Sequence, residues 1–219
     1  MKKEPFSEMY VNGKVRKAYA VLSEWYNTCD PDELTQKQKE AETLFRRIGI
    51  TFAVYGQGQD AERLIPFDMM PRVFLESEWR LLERGVKQRA RALNTFLWDV
   101  YNRREILRAG IIPKHLVLQN EAYEPAVVGI EPARNVYSHI VGVDIVRTGL
   151  KDFYVLEDNC RTPSGVSYML ENREIMMRMW PDLFKQTRIQ PVEDYARLLR
   201  HTLESVAPAK CEGEPTLAV

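Results

Sequence analysis

Apolar residues recur at helical spacing over residues 14–27, where Val15, Ala18, Tyr19, Leu22, Trp25 and Tyr26 mark one face. Asp30-Pro31 follows, an N-cap with an N1 proline. It predicts a second helix running to Ile48 and closed by Gly49. Residues 50–55, Ile-Thr-Phe-Ala-Val-Tyr, are β-branched and aromatic, end at Gly56 and read as a strand; Arg63-Leu-Ile-Pro-Phe reads as a second short extended piece. The longest helical pattern covers 76–108, through Trp79, Leu82, Val86, Leu93, Leu97 and Val100, with Gly110 stopping it and Pro113 beyond. The second half changes character. His139–Arg147 and Asp152–Asp158 are strand candidates on either side of Thr148-Gly-Leu-Lys151, and 166–180 and 192–206 return to helical spacing, separated by Pro181 and Pro191. The tail from Lys210 reads as a loop leading to Thr216-Leu-Ala-Val, which is either a frayed end or the first residues of a buried strand. These elements predict an α/β (α+β) chain with a helix-rich first half and a β-hairpin. Its expected segments are a helical piece over 1–48, a main body over 49–209, and the start of a further segment over 210–219.

Composition narrows the function classes. Lys+Arg and Asp+Glu are both 31 in 219 residues, so the basic excess of a nucleic-acid binder is missing. Arg84, Lys87, Arg89 and Arg91 do cluster, and at helical spacing they read as a solvated face. No apolar run reaches the length of a membrane span, and Met-Lys-Lys-Glu-Pro-Phe has no apolar stretch behind it to make a signal peptide. Cys29, Cys160 and Cys211 are odd in number and widely spaced, which argues against a disulfide framework or a zinc site. A cytoplasmic, reduced protein without nucleic-acid or membrane partners is expected.

The residues that carry chemistry lie in 142–165. In a strand, positions i and i+2 share a face, so Glu157 and Asn159 do. An even-length loop centred between Leu150 and Lys151 sets Asp144 opposite Glu157. Two carboxylates placed so repel each other, and a divalent cation reverses the sign of that interaction. Two carboxylates and an amide carbonyl are hard oxygen ligands of the kind Mg²⁺ takes, with phosphate oxygens and water completing its shell. Spacing alone equally describes exposed hairpin residues on a solvated face, and a slip of one residue sends Asp144 to the other face. Arg161-Thr-Pro-Ser-Gly165 follows, with a guanidinium, two hydroxyls and a glycine turn just before a helix. Such a segment suits an anionic group, or is an ordinary turn and N-cap.

Val155-Leu-Glu-Asp-Asn-Cys-Arg-Thr-Pro-Ser-Gly-Val-Ser-Tyr-Met-Leu-Glu-Asn-Arg173 resembles the signature of the bacterial circularly permuted ATP-grasp family. The resemblance extends, in order, to Gly49-Ile-Thr-Phe-Ala-Val-Tyr-Gly56, Arg63-Leu-Ile-Pro-Phe-Asp68, Ala92-Leu-Asn-Thr-Phe-Leu97 and Gly110-Ile-Ile-Pro113, and covers the chain from about residue 20. The family is similar to the synthetase domain of glutathionylspermidine synthase. By that likeness Asp144, Glu157 and Asn159 are metal ligands, and Thr162, Ser164 and Gly165 form the substrate side. The arginine that the likeness places two residues before the aspartate is Gly142 here, which leaves Arg147 or Arg161 to act on the transferred phosphate.

The resemblance implies a ligase that uses ATP and Mg²⁺ to join a carboxylate to an amine through an acyl phosphate, on a small-molecule or peptide substrate. It also implies a second half that supplies the lysines gripping ATP, and nothing here looks like that half. The chain is therefore expected to be the N-terminal part of such an enzyme, truncated, inactive alone, and prone to self-association or to pairing with its missing half. The competing reading is a non-catalytic interaction module; a nucleic-acid module has only the Arg84–Arg91 cluster behind it.

Overall fold

The computed structural model describes residues 6–53, 62–208 and 210–217. In chain order it contains β1 (Tyr10–Val11), β2 (Lys14–Val15), a 3₁₀ turn (Lys17–Tyr19), α1 (Ala20–Thr28), α2 (Pro31–Ile48), β3 (Thr51–Ala53) and β4 (Glu62–Leu64). Then come α3 (Glu76–Tyr101), α4 (Glu105–Arg108), α5 (Lys114–Leu118), two 3₁₀ turns (Pro125–Val127 and Ala133–Asn135), β5 (Gly142–Arg147) and β6 (Phe153–Asn159). The described chain continues through α6 (Val166–Met179), α7 (Pro181–Gln186) and α8 (Tyr195–Glu204). Each strand pair is an antiparallel two-stranded sheet: β1 with β2, β3 with β4, and β5 with β6.

The chain forms two compact units, both discontinuous in sequence. The first comprises 1–77 and 164–193. Its core joins Tyr19, Leu22, Ala41, Phe45 and Ile50 to Phe67, Ile175, Met179, Trp180 and Leu183, so α1 and α2 share a core with α6 and α7 and do not stand apart as a segment over 1–48. Lys37 donates to the Met179 carbonyl at 2.8 Å and lies over the Trp180 ring, satisfying a carbonyl in the last turn of α6. The Tyr168 hydroxyl donates to the Thr51 carbonyl at 3.1 Å.

Local chemistry explains where the elements begin and end. Asp30 accepts from the Asp32 N–H at 2.9 Å, and Gly49 closes α2 in the left-handed conformation at φ 78°, as the pattern predicted. The helix expected from residue 14 starts only at Ala20, because Asn12 and Gly13 turn the chain at positive φ and commit 10–15 to a tight hairpin. Of the strand expected over 50–55, residues 51–53 pair with 62–64, Ile50 precedes the strand as a buried core residue, and 54–55 lie outside the described residues.

The second unit comprises 78–163 and 194–219. The helix expected over 76–108 breaks after Tyr101. The Asp99 carboxylate accepts from the Glu105 and Ile106 N–H groups, both at 2.9 Å, and Arg104 at φ 58° turns the chain into α4. Tyr101 stacks between Tyr123 and Tyr137, at ring separations of 5.2 and 5.9 Å. The tail at 215–217 is irregular, and 218–219 lie outside the described residues.

Candidate functional site

The β5–β6 hairpin places Asp144 opposite Glu157 by a route the sequence did not reveal. Its loop is not of even length: Arg147 pairs with Phe153, and the Thr148 N–H bonds the Asp152 carbonyl at 3.0 Å, leaving a five-residue connection. A Cβ at Gly149 would meet the end of the exposed Asp152 side chain, which would have to turn aside. In that register Asp144 would face Leu156. A β-bulge intervenes: Ile145 pairs with Val155 but Asp144 pairs with Glu157, so Leu156 is the extra residue.

The bulge decides which face each following side chain takes. Without it, alternation from Phe153 would put Glu157 and Asn159 on the face of Val143, Ile145 and Arg147, and Asp158 on the face of Asp144. With it, Glu157 and Asn159 join Asp144 on the open face, where all three are exposed, and Asp158 turns to the other face. Asn159 Nδ2 donates to Glu157 Oε1 at 3.0 Å, which confirms that the two side chains meet.

The other face is held by α3. Arg89 grips Asp158 in a two-pronged ion pair, Nε to Oδ1 at 2.6 Å and Nη2 to Oδ2 at 2.5 Å, leaving the Asp158 side chain 13% exposed. The guanidinium holds the Asp158 carboxyl below the usual carboxylate range. Asn94 uses its whole amide on the approach to β5. Its oxygen accepts from the Tyr137 and Ser138 N–H groups at 2.7 and 2.9 Å, and its nitrogen donates to the Ser138 and Ala90 carbonyls, both at 3.1 Å. Ser138 Oγ then reaches the Cys160 carbonyl at 2.9 Å, tying the entry of β5 to the exit of β6. Burial pushes the Cys160 thiol up, away from a reactive thiolate.

The two candidate arginines differ. Arg147 lies on the α3 side, its side chain 3% exposed, ion-paired with Glu78 and donating to the Gly149 carbonyl at 3.0 Å and the Leu150 carbonyl at 2.7 Å. It closes the loop and faces away from Asp144, so it is a hairpin anchor and not a group that reaches the open face. Arg161 is exposed and makes no side-chain hydrogen bond or ion pair among the described residues. Thr162 is exposed beside it. Pro163 accounts for Gly142: a Cβ at 142 would lie 3.1 Å from the Pro163 Cβ and 3.4 Å from that of Asn159, so an arginine is excluded there unless Pro163 moves. Ser164 and Gly165 belong to the first unit, where Gly165, at φ 90°, precedes the first turn of α6, which has no side-chain cap.

Among the described residues no three His, Cys, Asp or Glu side chains gather as a metal site. The open face offers two carboxylates and one carboxamide. That all-oxygen donor set is a partial shell, and it fits a small hard cation that keeps waters and phosphate oxygens as its other ligands.

Sequence comparison then defines the class. Residues 71–219 match the family described as a circularly permuted ATPgrasp, and the chain belongs to that family. Its α/β, helix-rich architecture accords with that membership. Among its relatives, an uncharacterized protein of Synechocystis sp. is 42% identical over 199 residues, covering 91% of this chain and 41% of that protein. An uncharacterized protein of Mycobacterium leprae is 42% identical over 218 residues, covering 98% of this chain and 37% of that protein. A Frankia alni protein provisionally named glutamate--cysteine ligase 2-3 is 37% identical over 211 residues, covering 95% of this chain and 24% of that protein. The chain thus spans about two-fifths or less of the length of these curated relatives. No helix among the described residues is long and apolar enough to cross a membrane.

Proposed function

We propose that this chain supplies the metal edge of an ATP-dependent ligase that joins a carboxylate to an amine. The observation that carries the reading is the bulge at Leu156, which gathers Asp144, Glu157 and Asn159 on one open face while Asp158 is bound away on the other. Two carboxylates directly across a strand pair destabilise it by mutual repulsion. A bound cation removes that cost and recruits both groups. Family membership and the ligase name of the Frankia relative agree with the reaction class.

In this reading Asp144 and Glu157 would hold Mg²⁺ through carboxylate oxygens. Asn159, whose nitrogen now faces Glu157, would add its carbonyl oxygen once the amide turns over. The metal, when bound, screens negative charge on the phosphates of ATP. The acid substrate's carboxylate oxygen attacks the γ-phosphorus and ADP leaves. The amine nitrogen then attacks the acyl carbon, phosphate departs with the C–O bond electrons, and the amine loses a proton. Arg161 would neutralise the transferred phosphate, and Thr162 would be the neighbouring hydroxyl donor. Ser164 and Gly165 follow directly in the chain and would bind the substrate's anionic group with uncapped N–H groups at the start of α6. Glutamate and cysteine, the substrates in the Frankia relative's name, are the first pair to try.

The test uses the full natural polypeptide that contains this chain. Mg²⁺-dependent ADP release that requires both an acid and an amine is the expected activity, and Glu157→Gln is expected to abolish it by removing a charged ligand of similar shape. A Glu157→Gln protein with near-normal turnover would remove Glu157 from the metal edge.

A further inference from the structure

The open-face residues have no rigid support of their own. Each is exposed, and among the described residues one hydrogen bond links them, from Asn159 to Glu157. A hairpin of two strands is marginal by itself, and a bulge further weakens the ladder at the point where the carboxylates lie. Yet a magnesium site needs its oxygens held closely, because Mg²⁺ tolerates little departure from octahedral geometry.

The support comes from behind. Asp158 lies between Glu157 and Asn159 in sequence and points to the opposite face, where Arg89 fixes both of its oxygens. A two-pronged contact to a planar guanidinium sets the orientation of the carboxylate as well as its position. Holding residue 158 in this way fixes the peptide planes on both sides of it, and therefore the directions in which Glu157 and Asn159 leave the strand. The second tether, from Asn94 through Ser138 to the Cys160 carbonyl, fixes the residue after Asn159 and the segment that enters β5 toward Asp144. Both tethers start on α3, at Arg89 and Asn94, five residues and so roughly 7.5 Å apart along the helix.

Resting on the metal-edge reading above, we propose that Arg89, through Asp158, and Ser138, through Cys160, are positioning residues for the cation, and that the Leu156 bulge exists to place Asp158 within Arg89's reach while Glu157 and Asn159 face out. Arg89 acts through Asp158, on the face opposite the three ligands, and Ser138 through the Cys160 carbonyl.

Charge provides a test whose sign separates positioning from simple electrostatics. Removing Arg89 deletes a positive charge and leaves Asp158 uncompensated near the cation, so through-space attraction alone would tighten cation binding. Loss of positioning weakens it. The experiment is titration of the ¹⁵N-labelled 219-residue chain with Mn²⁺, read as paramagnetic broadening of amide signals at 143–145 and 157–160, with melting temperature measured in parallel. Arg89→Ala and Ser138→Ala are expected to weaken Mn²⁺ binding by about tenfold, the scale of loss when outer-shell support of a metal site is removed. Arg89→Lys, which keeps the charge but not the two-pronged contact, is expected to fall between wild type and Arg89→Ala. If Arg89→Ala loses its folded spectrum, the uncharged Ser138→Ala decides the matter. Unchanged or tighter binding in a folded Arg89→Ala, or a lower melting temperature with unchanged Mn²⁺ affinity in both variants, would overturn the positioning role and leave the metal edge standing. Absence of broadening at these residues in the wild-type chain would overturn the metal edge itself, and the positioning role with it.

Discussion

Asn94→Ala removes a side chain that makes four hydrogen bonds in the second unit, and its cost can be worked from the geometry. The substitution deletes one acceptor shared by the Tyr137 and Ser138 N–H groups and one donor shared by the Ser138 and Ala90 carbonyls. The Ala90 carbonyl keeps its place in the helical ladder of α3, so its loss matters little. Both N–H groups lose their acceptor, and Ser138 is 7% exposed. An orphaned buried donor costs roughly 1–3 kcal/mol, and partial access of water at Tyr137 takes that amide toward the low end, giving about 2–4 kcal/mol in all. For a chain of this size each kcal/mol lowers the melting temperature by roughly 2–4 °C, so a drop of about 4–16 °C is expected for the second unit. Hydrogen exchange adds a local readout: the Tyr137 and Ser138 amides should lose protection first. Asn94→Asp keeps the acceptor and should restore protection at those two amides. A melting temperature within about 1 °C of wild type, with both amides still protected in Asn94→Ala, would refute the view that this side chain anchors the entry to β5.

Arg161→Ala is expected to raise KM or lower kcat in the full polypeptide with little change in melting temperature, since the guanidinium has no partner among the described residues; a large loss of stability with normal kinetics would make the residue structural. The Arg89–Asp158 pair gives a pH dependence of fixed sign. The folded Asp158 carboxyl titrates below its unfolded value, so its contribution is whole above about pH 4 and is lost as the pH falls through the lower folded value. The stability difference between wild type and Asp158→Asn, from urea midpoints, should therefore be larger at pH 6 than at pH 3, and a constant difference would rule the pair out as a contributor. The 219-residue chain by itself is expected to release no phosphate from ATP, because three oxygen ligands without a grip on the nucleotide cannot align a γ-phosphate; steady phosphate release would show that the active site lies elsewhere.

The sequence disclosed whatever depends on local chemistry. The Asp30-Pro31 start and Gly49 end of α2 and the two strands of the hairpin are written in capping, turn and alternation signals that act within a few residues; Gly110 follows only the short α4, because the long helix already ends at Tyr101. The pairing of Asp144 with Glu157 was also foreseen, but from two compensating errors: an even-length loop that does not exist and the omission of a bulge that does. Bulges carry no residue signature here, since Leu156 looks like any strand residue; the clue was Asp158, a third acidic residue that an ordinary alternation would have exposed. The division of roles between the arginines was illegible because it depends on Glu78, 69 positions from Arg147. Arg89 and Asp158 are likewise 69 positions apart, so reading the Arg84–Arg91 cluster as a solvated face missed the one member that holds the site's strand. Asn94 sits inside the Ala92–Leu97 motif that marked the family resemblance, and its four hydrogen bonds supply a physical reason for an asparagine at that point.

The central claim is that Asp144, Glu157 and Asn159 form one cation site. Anomalous diffraction from crystals of the full polypeptide grown with Mn²⁺ and a non-hydrolysable ATP analogue tests it most directly. The account predicts a manganese peak on the open face of the hairpin, with oxygens of Asp144 and Glu157 at roughly 2.0–2.3 Å, the Asn159 amide turned to present its oxygen, and phosphate oxygens completing the shell. A manganese peak bound to the nucleotide and to other side chains, with Asp144 and Glu157 left in solvent, would contradict it.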